Sequence, residues 1–129
     1  MTPKHIHAKL DKIDQAADKN FLIEAYILHY QLNIELLHQL YNTFCEQKSI
    51  EVKPKKIVQI LYQECNPGSK LKNNINRKNL KLVMSWIENN EQLFKNLRNG
   101  FTTKPDKKSI ADCRSVFNLL NISLRKHGS

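Results

Sequence analysis

The side chains of this sequence that are first considered for catalysis or metal binding are the histidines of a predicted helix over residues 21–47. His29 and His38 are separated by about 13 Å along a helix axis, at 1.5 Å per residue, so they cannot bind one metal ion together. His29 and Asn33 are one turn apart and could line a cleft, but a pair of hydrogen-bonded core groups is the favoured interpretation. Glu35 and His38 have the Glu-x-x-His spacing of di-metal helix bundles, yet no other helix supplies a second such pair.

The remaining chemical motifs are few. His5 and His7 could bind a metal ion near the first residue, but an unstructured terminal pair is the favoured interpretation. No phosphate-binding loop, dinucleotide-binding glycine pattern, HExxH or GxSxG is present, and three glycines are too few for most of these motifs. The sequence therefore predicts a protein without a metal site or a cofactor.

The composition predicts a single domain over residues 1–129. Hydrophobic residues make up 40% and charged residues 26% of the chain, with only 3 Gly and 4 Pro, which favours long helices in a globular protein. No apolar run approaches the roughly 18 residues of a membrane span, and no signal-peptide-like stretch follows Met1. Three widely spaced cysteines, Cys45, Cys65 and Cys113, favour reduced, mostly buried thiols in a cytoplasmic protein.

Apolar residues recur at spacings of three and four along most of the chain, which predicts helices. Thr2 caps the first helix, and Asn20 is expected to cap the second. The second helix is apolar on nearly all sides, as is typical of the central helix of a bundle. Ser109 and Asp112 form a possible capping box for the last helix. We predict an all-α bundle of four long helices and one shorter helix. The predicted helices run from Thr2-Pro3 to about residue 19, over 21–47, from Lys53-Pro54 to about 65, over 80–98 and over 109–126.

The excess positive charge lies in the second half of the chain. The formal net charge is +9; residues 1–52 hold five lysines and seven acidic residues, whereas residues 53–108 hold thirteen Lys and Arg residues and four acidic ones. The segment 66–79, anchored only by Leu71 and Ile75, is long for a loop, so a short helical turn or a functional segment is expected there. This charge distribution favours a phosphate-backbone partner, with a solvated lysine-rich surface as the alternative. The candidate nucleic-acid-binding residues are Lys70, Lys72, Arg77, Lys78 and Lys81.

The order of helices two to five resembles that of HEPN domains, over about residues 20–126. The resemblance is carried by the Tyr-rich helix with an internal glutamate (YILHYQLNIELLHQLY, 26–41), the basic loop, the segment LKLVMSWIENNEQLFKNLRNG (80–100) and the last amphipathic helix. It implies a small bundle of four or five helices of the kind found in prokaryotic toxin–antitoxin and phage-defence systems. It also implies a nucleotidyltransferase-type protein partner and a tendency to dimerise.

Catalytic HEPN domains are metal-independent ribonucleases with an Arg, a following polar residue and a His four to six residues later. The Arg stabilises the charged phosphate in the transition state, and the His moves the proton of the RNA 2′-hydroxyl. Arg98-Asn99 supplies the first pair, but residues 103–105 are Thr, Lys and Pro where the His is expected. In a second register Asn89-Asn90 follow Trp86, and Phe94 replaces the His. Helix termination at residues 98–100 is the alternative explanation of the first register.

Because neither register keeps the histidine, the sequence predicts a non-catalytic HEPN-like module. Such a module would bind RNA, or a partner that handles nucleic acid, through its basic half. One alternative is a ribonuclease toxin with an unusual active site that combines Arg98 and Asn99 with His29 or His38. Another is a protein–protein module that forms a homodimer through its fourth and last helices.

Helix directions decide where the charge gathers. If successive helices alternate, the end of the third helix, the start of the fourth, the start of the second and the end of the last lie at one end of the bundle. Arg125 and Lys126 would then join the basic loop there. Lys53–Lys56 and Arg98 would lie together at the opposite end.

Overall fold

The computed structural model describes residues 2–45, 53–66, 68–71, 74–100 and 104–128, with side chains up to residue 125. Within these ranges it contains five α-helices and no strand, which confirms the predicted all-α bundle. The shorter helix is the third, with 11 residues. The helices are α1 (Pro3–Asp18), α2 (Leu22–Phe44), α3 (Pro54–Glu64), α4 (Arg77–Arg98) and α5 (Lys107–Gly128).

The second helix is the centre of the bundle, as its nearly all-round apolar sequence predicts. The other four helices all pack against it, and Tyr26, Leu36 and Leu40 on three successive parts of the helix are completely buried. Each large apolar side chain that leaves water contributes on the order of 2 kcal/mol to folding. The polar side chains that α2 carries are therefore held by a rigid, well-packed element.

Two helix starts show how the chain satisfies its first free N–H groups. Thr2 Oγ1 accepts the backbone N–H of His5 at 3.3 Å, as predicted. At α5 the predicted capping box of Ser109 and Asp112 is wrong. Asp106 accepts both the backbone N–H and the hydroxyl of Ser109, at 2.8 and 2.9 Å. The helix begins at Lys107 because this carboxylate, three residues before Ser109, reaches the free N–H groups first.

Asn20 ends the first helix and does not cap the second, contrary to the prediction. Its φ of 64° is in the left-handed region, which Asn tolerates better than most residues. The N–H of Asn20 bonds to the carbonyl of Ala17 at 2.9 Å, and the N–H of Phe21 bonds to the carbonyl of Ala16 at 2.8 Å. This pair of bonds closes a helix through a left-handed residue. The start of α2 has no side-chain cap.

The third helix runs parallel to the second, so the predicted alternation of helix directions is wrong. Lys53 and Pro54, at the start of α3, line a cleft with Gln31 in the middle of α2. The end of α3 lies near the end of α2, since burial and then the nearby Glu64 carboxylate raise the pKa of the Cys45 thiol. Eight residue steps between Cys45 and Lys53 can span up to about 27 Å. This exceeds the roughly 16 Å length of an 11-residue helix, so the chain can return to the middle of α2 before α3 begins.

The end of the bundle that carries the basic loop therefore collects the end of α2 and not its start. The end of α5 does lie there, since the side-chain amide of Asn74 donates to the carbonyl of Ser123 at 2.8 Å. Lys104, just before α5, shares a surface with Phe21 and other residues at the start of α2. Lys53 and Arg98 lie together in one cleft, as predicted.

The three thiols are free. Cys65 and Cys113 are buried, and Cys45 is half-buried. Burial raises the pKa of the Cys113 thiol to about 12, so this group stays protonated. In the described ranges, no helix combines the length and the apolar character that crossing a bilayer requires.

Candidate nucleic-acid interface

The loop after α3 and the first turns of α4 present a cationic surface, which we call the basic patch. Its described members are Lys70, Arg77, Lys78 and Lys81, all exposed; Lys72, the fifth predicted residue, lies outside the described residues. Within the described ranges, none of the four forms an ion pair with a carboxylate. Their charge is therefore available to an anionic ligand.

An aromatic ring lies close to two cations of the basic patch. The guanidinium carbon of Arg77 lies 5.0 Å from the ring centre of Tyr62, and the ammonium of Lys81 lies 5.9 Å from the same point. Tyr62 is half-buried near the end of α3. A ring with cations close to it is a combination with which proteins hold single-stranded nucleic acid, because phosphates pair with the charges and bases contact the ring.

Arg77 also fastens the two helices of this surface together. Its Nε donates to the carbonyl of Tyr62 at 3.3 Å, and one Nη donates to the side-chain oxygen of Asn66 at 2.9 Å. Part of its hydrogen-bonding capacity is thus used within the protein. Lys70, Lys78 and Lys81 are the side chains of the patch that an anion can engage without breaking such bonds.

The loop that carries Lys70 is pinned to the bundle. Leu71 and Ile75 are both buried, as their role of anchors predicts. The thiol of Cys65 donates to the carbonyl of Ile75 at 3.2 Å, and Asn74 connects the loop to α5. Asn76 then begins α4 three residues earlier than predicted, because its side chain accepts the N–H of Asn79 at 2.8 Å. These bonds hold the basic patch in a fixed position.

The catalytic candidates Arg98 and Asn99 end α4, as helix termination predicts. The N–H of Asn99 bonds to the carbonyl of Lys95 at 3.1 Å, and Gly100 follows with a φ of 83°. Both candidate side chains are exposed. The guanidinium of Arg98 lies 5.7 Å from the ring centre of Phe94, on the cleft between α2, α3 and α4.

The third catalytic candidate, His29, is completely buried on another side of α2. Its Nε2 accepts the Nε–H of Arg114 on α5 at 3.1 Å, and Arg114 is paired in turn with Asp14 on α1. Burial is the main cause that lowers the pKa of His29 to about 4, with Arg114 also lowering it. His29 is therefore a neutral core group that joins α1, α2 and α5, and the structure does not bring it to Arg98.

The residues of the second register considered in the sequence analysis are also part of the packing. Asn90 is buried, where it accepts the hydroxyl of Tyr26 at 2.9 Å and donates to the carbonyl of Trp86 at 2.8 Å. Trp86 is 5% exposed and lies in the core. Phe94 stacks on Tyr30 with 4.1 Å between ring centres. Asn89, next to Asn90, is exposed in a shallow groove between α4 and α5.

Sequence reasoning missed the contribution of Tyr62 and the Asp14–Arg114–His29 connection. Tyr62 is 15 residues before Arg77, and Asp14 is 100 residues before Arg114, so neither pairing has a local spacing signal. The only available signal was that each residue is a polar or aromatic group beside an apolar stripe. In the described ranges, no three His, Cys, Asp or Glu side chains form a set that could hold a metal ion.

Comparisons of this chain with protein-family models, with curated proteins and with solved structures find no match.

Proposed function

We propose that this protein is a non-catalytic, HEPN-like helical module that binds single-stranded RNA, or a partner protein that handles nucleic acid, through the basic patch. The observation that carries the proposal is the contact of the Tyr62 ring with both Arg77 and Lys81. Cations alone are common on protein surfaces, but cations around an aromatic ring favour a ligand that has both phosphates and bases. A partner of the nucleotidyltransferase type belongs to the same proposal.

The charge balance supports a polyanionic ligand. The cations of the basic patch have no carboxylate partner among the described residues, whereas Glu35 and Glu91 elsewhere are paired with lysines. A ligand with several phosphates gains most where the protein has not already neutralised its own charge. Leu71, Ile75 and Asn74 attach the described part of the loop to the bundle, which reduces the ordering that binding requires of these residues.

The non-catalytic part of the proposal rests on the separation of the candidate groups. Arg98 lies on the cleft beside Phe94, whereas His29 is enclosed between α1, α2 and α5. A histidine that moves the proton of a 2′-hydroxyl must reach the substrate. His29 does not meet this requirement, and its lowered pKa leaves it neutral at pH 7.

The decisive experiment measures binding of a fluorescent single-stranded RNA at several salt concentrations. The test variant carries Lys70→Ser, Lys78→Ser and Lys81→Ser and keeps Arg77, since Arg77 also bonds to α3. We expect the parent to lose about 0.7 log unit of affinity per phosphate contact for each tenfold increase in salt. The variant should bind more weakly to all sequences, with a salt slope smaller by about 2 and an unchanged thermal midpoint.

The matched control removes three lysines from the acidic half, with Lys4→Ser, Lys12→Ser and Lys19→Ser, all at exposed positions. It should retain the affinity and the salt slope of the parent. Equal losses in both triple variants would show that only net charge matters, and no binding by the parent at low salt would also overturn the proposal. RNA recovered from the incubations should be intact; cleavage that Arg98→Ala abolishes would establish the ribonuclease alternative instead.

A second candidate function is homodimerisation through α4 and α5. Leu82 on α4 and Ile122 on α5 are each 53% exposed, although both are large apolar residues. Leu82 lines the shallow groove between the two helices together with Leu119, one turn before Ile122. Exposed apolar side chains on neighbouring helices favour a protein contact at this face.

A further inference from the structure

A second concave surface lies far from the basic patch, between the middle of α2, the start of α3 and the last turns of α4. This cleft has a volume of about 690 Å³, within the range of pockets that bind small molecules. Arg98 lines it, whereas Arg77 is at the other end of the same helix, about 31 Å away at 1.5 Å per residue. The cleft and the basic patch can therefore be tested separately.

The wall of the cleft is apolar. Tyr30 and Phe94 stack with 4.1 Å between their ring centres and an angle of 14° between their planes. Ile34, Pro54 and Ile87 line the same cleft. Tyr30 already covers one face of Phe94, whereas among the described residues no ring stacks on Tyr62 of the basic patch, so a base finds less free ring face in this cleft. The apolar wall suits an aliphatic or compact aryl group better.

The rim of the cleft is cationic, and the two glutamates that line the cleft are each paired with a lysine. Glu35 pairs with Lys9 at 2.8 Å, and Glu91 pairs with Lys55 at 3.0 Å and with Lys95 at 3.6 Å. These ammonium groups hold the pKa of Glu91 below its usual value, chiefly through the hydrogen bond from Lys55. Two further cations of the rim, Lys53 and Arg98, have no carboxylate partner among the described residues.

We propose that this cleft binds a small amphipathic carboxylate, with its apolar body against Tyr30, Ile34 and Phe94 and its carboxylate at Lys53 and Arg98. The apolar wall gives such a ligand a surface to cover, and the guanidinium of Arg98 can hold a carboxylate through two parallel hydrogen bonds. Burial raises the pKa of the Tyr30 hydroxyl to about 12. This hydroxyl therefore stays protonated at neutral pH and does not repel an anion at the wall.

The only tryptophan of the chain provides the readout. Trp86 packs on Tyr30 with 5.0 Å between ring centres, so a ligand that contacts Tyr30 changes the surroundings of Trp86. We would titrate the full chain with decanoate, below its micelle concentration, and follow the emission of Trp86. Decan-1-ol has the apolar body without the charge, acetate has the charge without the body, and adenosine monophosphate tests a nucleotide ligand.

We expect saturable binding of decanoate, and weaker binding of the other three compounds. The double variant Lys53→Gln and Arg98→Gln should raise the Kd for decanoate by about tenfold or more, as the loss of charged hydrogen bonds does. The double variant Lys78→Gln and Lys81→Gln removes the same charge from the basic patch and should leave this Kd unchanged. Helical circular dichroism confirms that both variants fold.

Three results would overturn the proposal. Equal weakening of decanoate binding in the two double variants would show a non-specific charge effect. Adenosine monophosphate binding more tightly than decanoate would identify a nucleotide site, and decan-1-ol binding as tightly as decanoate would show that the cations do not contribute.

Discussion

At the scale of the residue, the feature with the clearest energetic consequence is the buried His29. Burial lowers its pKa from 6.5 to about 4, because the charged imidazolium would lose its hydration and face the guanidinium of Arg114. Below pH 6.5 the unfolded chain binds a proton at this position that the folded chain does not bind until about pH 4. The free energy of unfolding must therefore decrease as the pH falls through this window.

We expect this one group to remove on the order of 3 kcal/mol of stability between pH 7 and pH 4. The variant His29→Gln cannot titrate, and its amide oxygen can still accept from Arg114. Urea unfolding at a series of pH values should show a shallower loss of stability in this variant than in the parent. Replacing the exposed His5 by Gln is the matched control, against which the pH dependence of His29→Gln is compared. A parallel decrease in His29→Gln and the parent would contradict the assignment of the effect to His29.

At the scale of the element, the ends of the helices decide where functional side chains begin. Asn76 caps α4 through the N–H of Asn79, and the next residues are Arg77 and Lys78 of the basic patch. The first N–H groups of a helix have no acceptor within the helix. At the start of α4, the side-chain amide oxygen of Asn76 accepts one of them. Arg77 adds a second attachment through Asn66 on the other side of the loop.

The variant Asn76→Ala should lower the free energy of unfolding by about 1 kcal/mol, the usual cost of removing such a cap. Asn76→Asp retains an acceptor at the same position and should keep most of the stability. Chemical denaturation of the two variants checks this comparison. The reference variant is Asn99→Ala, at an exposed residue at the other end of α4. Equal stability of Asn76→Ala and the parent would show that water replaces the amide without loss.

At the scale of the whole molecule, parallel packing of α2 and α3 determines which surfaces exist. It brings Lys53 beside the middle of α2 and creates the cleft, while the antiparallel α3–α4 pair brings Tyr62 to Arg77. Two separate groups of cations from residues 53–108 result, the basic patch at one end of α4 and the rim of the cleft near the other. The face formed by α4 and α5 keeps its exposed apolar residues.

That face gives a prediction about assembly. If the protein forms a homodimer through α4 and α5, light scattering after gel filtration should give twice the 15.1 kDa mass of one chain. The variant Leu82→Asp with Ile122→Asp should then run as a monomer, because it places charges in an apolar contact. Phe21, also exposed but at the start of α2, gives the control Phe21→Asp, which should leave the dimer intact. A parent of 15.1 kDa would exclude this candidate function.

The sequence by itself determined the five helices. Spacings of three and four predicted each of them, since an apolar stripe needs only the geometry of a single helix. Two predictions of helix ends were wrong, because Asn20 and Asp106 lie near other residues with similar capping ability. The concentration of positive charge after residue 52 was also evident from the sequence, because it depends only on composition.

Only the tertiary structure decided which side chains meet. The direction of α3 depends on a connection whose length allows either orientation, and apolar spacing is the same for a helix that runs up or down. From that direction follows the position of Lys53 beside the middle of α2, in the cleft that also contains Arg98. The contact of Tyr62 with Arg77 and the enclosure of His29 by Arg114 and Asp14 depend on how the other helices pack. Each of these pairings joins residues far apart in the chain, so its energy belongs to the packed bundle and leaves no local pattern in the sequence.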